Sequence, residues 1–172
     1  MKGSHPPGAI IGAGAVAQAL GRLLYLQGRP VVAMASRNRS RAEGAAAFIG
    51  PSVRVVACAD IPGLASHVLI AVSDEGITPV AEELARAGMR TGVALHTCGA
   101  RGPEALAPLE RAGVACGLLH PLQTVATPEQ GVTSLKGATY GVAGSGRALE
   151  WAEELVAMLE GRALRVAPER LS

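Results

Sequence analysis

The sequence predicts an α/β fold, a doubly wound and mostly parallel sheet in three layers with helices on both faces. Three observations carry this expectation. Short apolar runs of strand length recur along the chain and alternate with stretches of helical spacing. The run Val68-Leu69-Ile70-Ala71-Val72 is apolar throughout, as in a strand covered on both faces. The first run breaks at two glycines, Gly12 and Gly14, and passes straight into a helical pattern. With 172 residues, 49% hydrophobic and 17% charged, the chain can bury one substantial core and reads as a single domain over 1–172.

The elements follow in order. Ala9-Ile10-Ile11 forms the first strand, and Val16, Leu20, Leu23, Leu24 and Leu26 make a helical stripe that ends at Gly28. A second strand spans 31–35, a helix spans 41–49, and Gly50-Pro51 breaks it before a strand over 53–57. A connector with Asp60 and Pro62 leads to the strand 68–72, with Ser73-Asp74 at its carboxyl end. The helix 77–87 carries Pro79 in its first turn, where the missing N–H costs little. A strand over 93–97, a helix over 103–112 and a strand over 114–119 follow, then a strand over 139–143, a helix over 148–159 and a last strand over 164–166. Right-handed crossovers place all the strand carboxyl ends on one edge. Gly12-Gly14, Ser36-Arg37, Ser73-Asp74, His96 to Gly99 and His120-Pro121 should therefore line one crevice.

Composition excludes several classes. A net charge of +2 and 2% aromatic residues argue against nucleic acid, which needs a basic face and stacking platforms. Apolar runs fall far short of a membrane span, and the amino terminus lacks the plan of a signal peptide, so a soluble cytoplasmic protein with no membrane partner is expected. Three cysteines, Cys58, Cys98 and Cys116, form no C-x-x-C and fit a reducing compartment, and no metal-ligand spacing is present.

The segment Gly12-Ala13-Gly14-Ala15-Val16-Ala17 has the G-x-G-x-x-A form of a dinucleotide-binding turn. The first glycine permits the bend, the second lets backbone approach a pyrophosphate, and a small third residue allows close helix–strand packing. The helix N-terminus supplies N–H groups and positive dipole to the phosphates. In a chain with 22 glycines this pattern alone is weakly specific, and the next strand end sharpens it. Where NAD-selective sites place a carboxylate for the ribose, this chain has Ser36-Arg37-Asn38-Arg39-Ser40-Arg41. A guanidinium and a hydroxyl suit an added 2′-phosphate, so NADP(H) is the expected cofactor. Gly12, Ala13, Gly14, Ala15 and Val16 would surround the pyrophosphate, and Ser36 and Arg37 the 2′-phosphate. Ala71, Val72 and Ser73 would lie toward the nicotinamide.

Two histidines end strands, His96 and His120. Reduction of a carbonyl or imine needs a proton beside the hydride, and a histidine can supply it, so both are candidate catalytic residues facing the cavity. The bland alternative is a ring that bonds backbone at a turn. Cys98 shares a strand face with His96, which permits a thiolate–imidazolium pair, although a small buried filler is the commoner role. Gly99 suggests close backbone approach to a ligand, Asp74 is a cap for the helix that follows it or a contact to the cofactor, and His67 is a capping or surface residue.

Ile10 to Gly21, Ala35-Ser36-Arg37, Leu69 to Ile77, Leu95-His96-Thr97-Cys98-Gly99-Ala100 and His120-Pro121-Leu122-Gln123-Thr124 together cover nearly the whole chain. In this order they resemble the bacterial proteins that join a Rossmann-like NADP-binding domain to a C-terminal domain of unknown function. Those are relatives of pyrroline-5-carboxylate reductase, prephenate dehydrogenase and the deazaflavin-dependent NADP reductases. The H-T-x-G-A and H-P-L-Q-T pair is the distinctive part, and Cys98 departs from the serine expected there. The resemblance implies an NADP(H)-dependent oxidoreductase domain with a Rossmann fold acting on a small-molecule substrate. It also implies a helical C-terminal domain that builds a homodimer and closes the substrate site, absent from a chain that stops at Ser172. A cofactor-sensing module without turnover, or an enzyme incomplete without that domain, is the alternative. An S-adenosylmethionine-dependent methyltransferase shares the glycine turn but wants an acidic residue where Ser36-Arg37 stands.

Overall fold

The computed structural model describes residues 4–167. An eight-stranded sheet is built from β1 (Gly8–Ile11), β2 (Val31–Ala35), β3 (Arg54–Val55), β4 (His67–Ile70), β5 (Val93–His96), β6 (Ala115–Pro121), β7 (Thr139–Gly144) and β8 (Arg162–Arg165). Their order is β3-β2-β1-β4-β5-β6-β7-β8. The helices are α1 (Ala15–Leu26), α2 (Arg39–Ile49), α3 (Asp74–Arg86), α4 (Ala107–Arg111), α5 (Pro128–Ser134) and α6 (Arg147–Met158), with 3-10 turns at Cys58–Gly63 and Pro103–Leu106.

Side-chain alternation in the strands divides the core into two layers. Ile10, Met34, Leu69, Leu95, Leu119 and Val142 point to the face covered by α1, α2 and α6. Ala9, Ile11, Ala33, Val68, Ile70, Ala94 and Cys116 point to the face covered by α3, α4 and the 3-10 turns. Burial on both faces is what the continuous apolar runs require.

One expectation needs correction. Strands β1 to β6 are parallel, but β7 pairs antiparallel with β6, and β8 follows β7 in parallel. The carboxyl ends of β7 and β8 thus lie on the opposite edge. A parallel return would need a crossover long enough to carry the chain back along the sheet. The link after β6 instead forms α5, whose seven residues rise only about 10 Å. Gly131 of α5 packs its bare backbone against the Ala19 methyl of α1. The chain re-enters beside its exit, where the Leu122 N–H donates to the Thr139 carbonyl at 2.8 Å.

The sequence reading had no element at α5, whose cap is legible in retrospect. Thr127 accepts from the Gln130 N–H at 3.1 Å, and Pro128 opens the helix. The third strand is two residues long rather than five, α3 begins at Asp74, and the last strand lies at Arg162–Arg165. No helix among the described residues is long and apolar enough to cross a membrane. Ser172, where the chain stops, lies outside the described residues.

Candidate functional site

The order of the strands reverses between β1 and β4, and the crevice outside the carboxyl ends at such a point is where open α/β sheets bind ligands. The turn after β1 is held on both sides. The Gly12 N–H donates to the Ala35 carbonyl at 2.9 Å, and the Ala71 N–H donates to the Ile11 carbonyl at 2.8 Å. Gly12 has φ 122°, and a methyl group there would overlap the Ala71 carbonyl oxygen and stand 2.9 Å from its carbon. Only glycine fits. Gly14 differs: it is the N-cap of α1, and a methyl group added to it would meet nothing within 4 Å.

That open space lies before a 12-residue helix whose first turn has neither a side-chain cap nor an acidic residue. The positive helix end therefore faces the crevice without an internal counter-charge. Ala17 is buried beneath Gly12, and Gln18 braces the turn through its side-chain amide, which donates to the Ala13 carbonyl at 2.9 Å.

Ser36 and Arg37 follow β2. Arg37 is exposed and makes no ion pair or side-chain hydrogen bond among the described residues. Its neighbours divide otherwise. Asn38 caps α2 by accepting from the Arg41 N–H at 3.0 Å, Arg39 pairs with Glu43 at 3.4 Å, and the Arg41 guanidinium is unpaired among those residues. Beyond β4, the Ala71 carbonyl presses on Gly12, while exposed Ser73 takes the N-cap position that the sequence reading assigned to Asp74.

The two histidines occupy different environments. His120, near the end of β6, is partly exposed, and its Nδ1 lies 2.9 Å from the Thr97 carbonyl oxygen. A carbonyl only accepts, so Nδ1 carries the proton of that bond, and Nε2 has no hydrogen-bond partner among the described residues. The ring lies on Gly99, where a methyl group would overlap Nε2 and stand 2.6 Å from Cδ2. The approach that the sequence signalled at Gly99 is thus made by the histidine ring.

His96 does not face the crevice. It has 0% exposure, its Nδ1 accepts the Cys98 N–H at 3.2 Å, and its Nε2 donates to the Gly102 carbonyl at 2.8 Å. Both nitrogens are occupied in the neutral ring, and burial lowers its pKa below the usual histidine value. The pairing imagined between Cys98 and His96 is also absent. The strand ends at His96, so the Cys98 thiol turns away and donates to Asp74 Oδ1 at 2.7 Å, while burial raises its pKa. His67 opens β4 half-buried with its ring edge-on to Trp151, 4.8 Å between centroids.

The carboxyl ends of four strands, β2, β1, β4 and β6, thus bring Gly12, Gly14, Arg37, Ser73 and His120 to one edge. Sequence reasoning missed the Thr97 carbonyl, because a backbone oxygen has no residue-type signal, and at Gly99 it foresaw a close approach but not the His120 ring that makes it. A small hollow of about 30 Å³ lies at the opposite edge, beside His67, Trp151 and Arg29, and has room for little more than water. Among the described residues no cluster of three or more His, Cys, Asp or Glu could hold a metal ion.

Residues 5–121 match the family model of the Rossmann-like domain. The chain belongs to the Rossmann-like domain family. No curated protein matches it in sequence. Solved structures match this Rossmann-like domain closely in shape at low identity. A candidate NADP oxidoreductase from Bacteroides fragilis is 20% identical with a TM-score of 0.79 over 98% of this chain and 63% of its own. Prephenate dehydrogenase from Aquifex aeolicus is 12% identical with a TM-score of 0.79, over 95% of this chain and 62% of its own. A reductive aminase from Aspergillus terreus, in complex with NADPH and ethyl-5-oxohexanoate, is 16% identical with a TM-score of 0.67, over 97% and 59%. The Rossmann-like domain therefore spans about three fifths of the length of these neighbours.

Proposed function

We propose that this Rossmann-like domain binds NADP(H) and serves an oxidoreductase that acts on a small carbonyl, imine or hydroxy compound. The observation that carries the cofactor is the exposed Arg37 guanidinium at the end of β2, unpaired among the described residues and on the same edge as the uncapped positive end of α1. The residues fit a dinucleotide. The space before Gly14 is one a Cβ would enter, Gly12 to Val16 offer backbone N–H groups to a pyrophosphate, and Ser36 and Arg37 offer donors to a 2′-phosphate. Ala71, Val72 and Ser73 would border the nicotinamide half. When bound, NADPH supplies hydride.

The chain's own chemistry then belongs to His120. Its Nδ1–H is committed to the Thr97 carbonyl, so Nε2 is the nitrogen left to hold or release a proton toward a substrate. The A. terreus reductive aminase, in complex with NADPH and a keto ester, supports the substrate class. We further read the chain as a single cofactor domain over 1–172, cytoplasmic, without nucleic-acid or membrane partners and able to form a homodimer.

Titration should give NADPH binding much tighter than NADH. Charge-assisted hydrogen bonds are worth about 1.5–3 kcal/mol, so Arg37→Ala should weaken NADPH binding by roughly 10- to 150-fold and leave NADH nearly unchanged. Equal affinities in the parent protein would sink the assignment. A second reading, cofactor binding without turnover, is favoured by the exposure of Ser73, Leu122, Gln123 and Thr124 around the His120 end. It requires that no ketone or imine in a panel consume NADPH.

A further inference from the structure

We propose that buried His96 is a positioning residue for His120: it clamps the loop after β5 so that the Thr97 carbonyl and Gly99 determine which nitrogen of His120 is free to carry a proton. The catalytic consequence rests on the reading of His120 given above; the clamp rests on geometry alone.

The His96 ring lies inside the loop it begins. It takes the N–H of Cys98, two residues ahead, and donates to the carbonyl of Gly102, six residues ahead. One side chain thus ties both ends of the segment 98–102. Other bonds fix the frame. The Thr97 N–H donates to the Ile70 carbonyl at 3.2 Å, holding the loop's start to β4, and the Gly102 N–H donates to Glu104 Oε1 at 2.9 Å.

His120 meets this loop twice. Its Nδ1–H is directed at the Thr97 carbonyl, and its ring lies on Gly99, with a methyl group there 2.6 Å from Cδ2 and 2.7 Å from Cε1. The tautomer of a neutral histidine follows the hydrogen bond its other nitrogen makes. Without a fixed acceptor at Nδ1 the proton redistributes between the two nitrogens, and Nε2 loses its defined role. His96 itself suits a clamp more than a proton carrier, since zero exposure keeps both nitrogens from any substrate.

The test reads ring nitrogens by NMR in the 15N-labelled chain at about pH 8.5, where ordinary imidazoles are neutral. The His120 signals are identified by their loss in His120→Ala. In the parent, His120 should be protonated at Nδ1. In His96→Leu that signature should be lost in favour of an Nε2-protonated or averaged ring, while backbone amides outside 96–104 keep their shifts. His96→Gln, which retains a donor for Gly102 and loses the acceptor for Cys98, should be intermediate.

A His120 protonated at Nε2 in the parent overturns the proposal, as does an unchanged Nδ1–H in folded His96→Leu. If His96→Leu does not fold, His96→Gln decides: a reduced Nδ1–H population supports the clamp, and an unchanged one overturns it. No cofactor is needed, so a failed NADPH titration would remove the functional reading and leave this one standing.

Discussion

The two glycines of the first turn should fail in different ways when replaced by alanine. At Gly12 the backbone has φ 122°, and the new methyl group would overlap the Ala71 carbonyl oxygen. Forcing a non-glycine residue into such a conformation costs about 1–3 kcal/mol. Overpacking against backbone that cannot rotate away costs about another 1–3 kcal/mol. The Ala71 N–H bond to Ile11 lies beside the overlap, so β1 and β4 would have to separate locally. A loss of about 4 kcal/mol is therefore expected. With a urea dependence of about 2 kcal/mol per molar, the unfolding midpoint should fall by about 2 M. Gly14→Ala, with φ −80° and open space before it, should cost about 1 kcal/mol or less. Its methyl group would instead enter the space assigned to phosphate and weaken NADPH binding. The single tryptophan, Trp151, reports unfolding in both variants. Equal destabilisation by the two substitutions, or a Gly12→Ala loss below about 1 kcal/mol, would refute the argument from backbone conformation.

Acid should weaken the fold through His67 and His96. The folded-state pKa values of His67 and His96 are lowered, each by burial first, so the unfolded chain binds more protons below the usual histidine value. Stability should hold above about pH 6.5 and fall as pH drops below it, by up to about 1.4 kcal/mol per pH unit for each histidine. A flat urea midpoint from pH 7 to pH 5 would contradict this. Trp151 fluorescence should be quenched as His67 protonates, with a folded-state midpoint below 6.5 because burial and the Arg147 charge outweigh Glu154. Loss of this quenching in His67→Gln assigns it, and persistence refutes it. Gly99→Ala should displace the His120 ring and abolish its Nδ1–H signature at a cost of about 1–2 kcal/mol, and an unchanged His120 spectrum would remove Gly99 as its floor. Gly21→Ala gains about 1 kcal/mol in helix propensity but would place a methyl group 2.7 Å from Ile49 Cδ1. Because Ile49 is fully buried and such crowding costs about 1–3 kcal/mol, the net effect should be a loss. A more stable variant would show that the side chain can yield.

The alternating pattern made β1, β2, β4, β5, β6 and the long helices legible, because burial on one or two faces leaves a period in the residues themselves. What it concealed has a common cause. The reversal of β7 depends on where α5 docks, and docking on α1 turns on Gly131 meeting Ala19, two small residues far apart in the chain. The candidate site shows the same limit. Gly12, Gly14 and Arg37 could be read from type and spacing, whereas His96 and His120 looked equivalent as strand-end histidines.

The sequence by itself determined the layered α/β plan, the glycine turn at a helix start and the basic residue after β2, since each follows from local periodicity or from a residue's own chemistry. Only the tertiary structure decided which histidine could meet a ligand. His96 closes a loop with both ring nitrogens and is wholly buried, while His120 keeps Nε2 free because the Thr97 carbonyl, 23 residues earlier in the chain, accepts the Nδ1–H. Hydrogen-bond partners of that separation, made by backbone atoms every residue possesses, leave no mark in residue order and exist only once the strands are paired.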